Sequence, residues 1–146
     1  MSNKHLPYST YLPVFVYGTL RTGEYNWERL LKGRTLSERP AIAPGHVMFA
    51  SSVPCITEGE GSVVGNLVEI DQSIYAEVLR ELDELEEFDP AAGAGWYLRV
   101  ARHVLVDGQP VLAWLYHGDP ATFSGDEPSS PVPDGDWVAW IRRFAQ

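Results

Sequence analysis

The chain has one cysteine, Cys55, and so cannot close an internal disulfide. That usage suits a reducing compartment and predicts a cytoplasmic protein. Basic residues are also scarce: 11 Lys and Arg stand against 20 Asp and Glu, a formal charge of −9. Neither nucleic acid nor an anionic membrane surface is therefore expected as a partner, because both bind through clustered Lys and Arg. A small anionic ligand remains open to it, since a few backbone N–H groups can hold one inside an acidic protein. No apolar run approaches the roughly 20 residues of a membrane helix. The N-terminus lacks the basic start, apolar centre and small-residue cleavage site of a secretion signal. Internal repeats, a Gly-x-Ser-x-Gly elbow and a Gly-x-x-x-x-Gly-Lys phosphate loop are missing as well.

What is present is the composition of a globular protein, 45% hydrophobic over 146 residues. That length holds one domain with a real core, so residues 1–146 are expected to be a single domain. Residues 1–11 read as a loose N-terminal arm. Residues 118–135, rich in Pro, Ser, Gly and Asp, read as a long loop.

Between these lie mostly strands. Residues 13–17 are a short β-branched and aromatic run ending at Gly18, and predict a buried strand. Residues 25–31 place Trp27, Leu30 and Leu31 on one helical face. Strands are expected over 41–49 and 63–70, with Thr57–Gly61 as a turn that makes 53–70 a hairpin. Asp71 is a candidate N-cap for a helix carrying Ile74, Val78, Leu82 and Leu85 as its apolar stripe, ending near Phe88 ahead of Pro90. Strands over 96–106 and 111–117 flank Asp107-Gly108, a hairpin signal. A last helix starts near Asp136, with Trp137, Trp140, Ile141 and Phe144 on its apolar face and the two tryptophans read as core. The fold class expected is α+β: a mixed, antiparallel-rich curved sheet or small β-barrel with a few flanking helices.

Two places could carry chemistry. At Tyr17-Gly18-Thr19-Leu20 the apolar strand breaks into a turn without a Cβ at Gly18 and with a hydroxyl at Thr19. Such a turn either closes a core strand or cradles a carboxylate or phosphate on its N–H groups. In the acidic run 81–89, Glu86 lies at the edge of the apolar stripe. It is either part of a solvated face or a partly buried carboxyl, and burial would raise its pKa toward that of a general acid or base. Cys55 reads as a small buried hydrophobe, not a nucleophile. His46, His103 and His117 lack metal-ligand spacing, so no metal site is expected.

Several segments, in order, resemble the γ-glutamylcyclotransferase-like (AIG2-like, BtrG-like) family. Val16-Tyr17-Gly18-Thr19-Leu20-Arg21 is similar to its Tyr-Gly-Ser/Thr-Leu signature, and Leu82-Asp83-Glu84-Leu85-Glu86 to its Leu-Asp-x-Leu/Phe-Glu-Gly. Val53-Pro54, Val64–Ile70, Tyr97-Leu98-Arg99, Ala113–Tyr116 and Gly135-Asp136-Trp137 resemble further family segments. The resemblance implies release of 5-oxoproline and a free amine from a small γ-glutamyl substrate. In that reaction the substrate's own α-amino group attacks its γ-carbonyl. It implies Glu86 as the acid/base, the turn at Gly18, Thr19 and Leu20 as the cradle of the glutamyl group, Tyr17 or Tyr97 lining the pocket, and no metal or cofactor. Glu87 stands where the family usually has glycine, which bears on how Glu86 is aimed. Asp89–Gly95 is an Ala/Gly-rich insertion that reads either as a lid or as a plain loop. The alternative is a member of the fold that binds a small ligand without chemistry. Neither the amine side of the substrate nor the oligomeric state is legible.

Overall fold

A computed structural model describes residues 10–50, 54–118, 130–132 and 134–144. The expected arm over 1–11 and loop over 118–135 lie mostly outside the described residues. Among the described residues, eight strands and three α-helices follow one another as β1 (Val14–Val16), α1 (Tyr25–Leu30), β2 (Thr35–Ala50), β3 (Pro54–Ile70), α2 (Tyr75–Leu85), β4 (Phe88–Asp89), β5 (Ala94–Gly95), β6 (Tyr97–Val106), β7 (Gln109–Gly118), β8 (Ser130–Pro131) and α3 (Trp137–Phe144).

The main sheet has the order β3-β1-β7-β6-β2-β8, and β2 pairs with β3 as well. The sheet therefore closes on itself as a small barrel, with β1 and β7 parallel and the other pairs antiparallel. Period-two alternation sends successive side chains to opposite faces. Phe15, Ala43, Ile56, Val63, Leu67, Ala113 and Leu115 fill one core, together with Trp137 and Val138 of α3. Val14, Val16, Val68, Ile70 and Tyr116 face the other way and pack beneath Val78, Leu79 and Leu82 of α2. The α+β, curved-sheet expectation is met.

Several details differ from the reading above, β2 beginning at Thr35 where a strand was expected from 41. Thr57–Gly61 is no turn: β3 continues through it, paired with β2 at Val47↔Thr57 and His46↔Glu58, and Gly59–Gly61 lie opposite Gly45 where the register shifts. Glycine is needed there for close approach, because a Cβ on Gly61 would lie 3.0 Å from the His46 carbonyl oxygen and 3.1 Å from a Val47 methyl. Helix α2 begins after a single 3-10 turn, Gln72–Ile74, which Asp71 caps through the Ser73 N–H at 2.9 Å. It ends at Leu85, short of the expected Phe88, because Glu87 turns left-handed at φ 55.

Candidate active site

Tyr17 follows β1 directly and is buried, and its hydroxyl donates to the Tyr116 carbonyl on β7 at 2.6 Å. A Cβ on Gly18 would stand 2.8 Å from Pro54 Cγ, so the turn can lie against Pro54 only with glycine there. The carbonyls of this turn are used: Gly18 accepts from Arg21 N–H, and Thr19 from the N–H groups of Asn26 and Trp27, all at 3.0 Å. Asn26 Nδ2 donates to Thr19 Oγ1 at 2.8 Å, which leaves the Thr19 hydroxyl proton for another partner. The N–H groups of Gly18, Thr19 and Leu20 donate to no acceptor among the described residues. Arg21 anchors the turn from behind through Asp136 at 2.8 Å and Asn66 at 3.3 Å.

Glu86 caps the C-terminus of α2, its N–H bonded to the Leu82 carbonyl at 3.0 Å. It is half-buried. Its carboxylate has no hydrogen-bond partner among the described residues, and no side-chain N or O among them is both fully buried and unpartnered. The Glu86 oxygens are therefore reached by solvent. Burial raises the Glu86 pKa to about 7, and the charge of Asp83 adds to the shift.

Three tyrosines surround this carboxyl closely enough to feel it. Burial raises the pKa values of Tyr17, Tyr97 and Tyr116, with Glu86 contributing to each. Tyr97 donates its hydroxyl to the Pro54 carbonyl at 2.5 Å, so both Tyr17 and Tyr97 have their protons committed to the backbone. Burial pushes the neighbouring Cys55 thiol up to about 11, which keeps it protonated near neutrality and unsuited to nucleophilic attack.

The residues match the model of the family "gamma-glutamyl cyclotransferase, AIG2-like" over positions 14–139. The chain belongs to that family. Among curated relatives, it is 33% identical over 104 residues to gamma-L-glutamyl-butirosin B gamma-glutamyl cyclotransferase of Niallia circulans, covering 70% of this chain and 64% of that protein, just under two thirds of its length. It is 30% identical over 106 residues to a putative gamma-glutamylcyclotransferase of Methanocaldococcus jannaschii, covering 70% of this chain and 81% of the relative. Among solved structures, an AIG2-like protein of Mus musculus superposes with a TM-score of 0.59 at 25% identity, over 82% of this chain and 85% of that one.

Within this γ-glutamyl cyclotransferase fold, Glu87 holds a backbone conformation that glycine adopts freely, φ 55, and its side chain is exposed. The bend survives without the family glycine because the chain behind it is fixed. Glu87 accepts from Trp96 N–H at 3.1 Å, and Phe88–Asp89 pairs with Ala94–Gly95, so the 89–95 insertion is a small hairpin. Glu87→Gly is expected to raise stability by about 1 kcal/mol, the cost of a left-handed non-glycine residue. Urea unfolding at neutral pH checks this; an unchanged or lower midpoint would place the strain elsewhere.

Sequence reasoning missed two groupings. Asp83 on α2 is buried and accepts from Arg99 Nε at 2.8 Å, Arg99 Nη2 at 3.1 Å and Tyr116 Oη at 2.7 Å. Its place inside the Leu82–Glu86 segment, and that of Arg99 in Tyr97-Leu98-Arg99, was the available signal. His46 and His117 meet across strands 71 residues apart in sequence, Nε2 to Nε2 at 3.0 Å, and local spacing could not show it. His103 is exposed, as a residue on the outer face of a strand would be.

Proposed function

We propose that the protein is a γ-glutamyl cyclotransferase that releases 5-oxoproline and a free amine from a γ-glutamyl substrate, with Glu86 as its acid/base. The observation that carries this reading is the solvent-reached carboxyl of Glu86, without a hydrogen-bond partner among the described residues and with its pKa raised to about 7. A carboxylate with that pKa accepts a proton from an α-ammonium and returns it at neutral pH. The α-carboxylate of the glutamyl group would lie on the free N–H groups of Gly18, Thr19 and Leu20. Tyr17 and Tyr97 would line the pocket around the ammonium.

The chemistry then needs no covalent intermediate. Glu86 removes one proton from the α-ammonium, and the freed amine attacks the γ-carbonyl to close a five-membered ring. The attacking nitrogen then gives up its second surplus proton as the tetrahedral centre collapses; Glu86 protonates the leaving nitrogen with the first and passes on the second, giving 5-oxoproline and the amine as its ammonium ion. Because nucleophile and carbonyl belong to one molecule, holding the glutamyl chain folded supplies much of the rate. The buried free thiol of Cys55 fits a protein working in a reducing cytoplasm.

The test is release of 5-oxoproline from a panel of γ-glutamyl amines and γ-glutamyl amino acids. Release from any of them supports the reading. Binding of γ-glutamyl ligands with no release from any would replace it with a small-ligand binding protein on the same fold.

A further inference from the structure

We propose that His46, His117 and Glu58 form a binding site for a divalent transition-metal ion of the zinc type, clipping β2, β3 and β7 together. One ligand atom from each residue lies within 4.8 Å of the other two. Imidazole and carboxylate are the donor types that Zn²⁺ takes, and three protein ligands with a water in the fourth position is a common arrangement. The register puts Glu58 directly across from His46 on the paired strands. The bulge between Pro44 and His46 separates that end of β2 from the regular ladder.

The orientation of the rings suits the ion. His46 Nδ1 lies 3.0 Å from the Pro44 carbonyl, a contact that requires the proton on Nδ1 and leaves Nε2 as a lone pair. His46 is buried, so its ring cannot swing away to water. The Nε2 atoms of the two histidines are 3.0 Å apart. Two Zn–N bonds at a tetrahedral angle would set them about 3.3 Å apart. An ion therefore replaces the hydrogen bond between the rings with a spread of a few tenths of an ångström, and His117 moves its proton to Nδ1. Arg102 Nε holds Glu58 Oε2 at 3.1 Å, so Oε1 is the oxygen left for the ion. The Arg102 charge opposes the ion and makes this a site of moderate affinity rather than a permanent one.

The charged groups that act on His117 are His46, Arg102 and Glu58, while Asp83 acts on Glu86, so the proposed ion does not depend on whether Glu86 is catalytic. The test uses the whole chain, stripped with a chelator, and titrates Zn²⁺ by calorimetry and Co²⁺ by visible absorption. Wild type is expected to bind one equivalent of Zn²⁺, to show the intense visible bands of four-coordinate Co²⁺, and to melt at a higher temperature with Zn²⁺. Glu86→Gln should bind equally. His117→Gln and Glu58→Gln should weaken binding roughly tenfold or more. His46→Gln should do the same, and because His46 is buried the His117 and Glu58 variants carry the result where it fails to fold. Absence of binding below millimolar metal, or binding that His117→Gln and Glu58→Gln leave unchanged, would overturn the proposal.

Discussion

Glu86→Gln is expected to lower kcat for 5-oxoproline release by about 10²–10⁴-fold, the usual weight of a positioned general acid/base, with little change in KM. Glutamine keeps the size of the side chain and its place at the end of α2, but cannot take or return a proton. A second effect of opposite sign should accompany the loss. The Glu86 pKa is raised from 4.5 to about 7, so between these values the folded protein holds a proton that the unfolded chain has lost. Stability contributed by the neutral carboxyl is full below 4.5 and is lost as pH rises through 7. A shift of that size corresponds to at most about 3 kcal/mol. Glu86→Gln should therefore match wild type in urea at pH 4 and be the more stable protein at pH 8. An inactive variant that gains stability marks a residue held in place for chemistry. An inactive variant that loses stability at pH 8 would instead make Glu86 a structural group. A variant that releases 5-oxoproline at the wild-type rate would remove it from the mechanism.

The parts of this site differ in how far they could be read from sequence, and the difference has a physical cause. Helix α2 was legible because Val78 and Leu82 are buried at helical spacing, and the same arc put Glu86 at the stripe's edge. The strand ending at Gly18 was legible because β-branched residues stop abruptly there. The path of β3 was not, since Gly59 and Gly61 carry the signal of a turn while serving close contact with β2. Asp83 reads as one more acid in an acidic run, and only the partner strand shows it to be buried. Its partners, Arg99 and Tyr116, lie 16 and 33 residues away. The same holds for His46 and His117, which only barrel closure brings into contact. Local periodicity encodes which face a side chain takes, and it does not encode what that face meets.

Asp83→Asn is expected to cost about 3–5 kcal/mol, because it breaks a buried ion pair from one side. The Arg99 and Asp83 side chains are only 3% and 2% exposed, so water cannot replace the lost charge. Asparagine offers one acceptor oxygen where the carboxylate serves Arg99 twice and Tyr116 once. Contacts of the guanidinium with the Trp114 ring, 4.5 Å from its centroid, and with Phe88 survive the change and hold Arg99 in place. Asp83 is also the charge that helps raise the Glu86 pKa, and the substitution removes it. Losing that charge favours ionised Glu86, so its pKa falls and the acid limb of the kcat/KM profile moves to lower pH. Urea unfolding reads the first effect, and the pH profile of 5-oxoproline release, taken below the variant's unfolding temperature, reads the second. If Asp83 serves the fold alone, stability drops and the limb stays where it is. If it also tunes Glu86, the two move together, and the least soluble-looking feature of an acidic helix, a buried aspartate, sets the pH at which the neighbouring carboxylate can work.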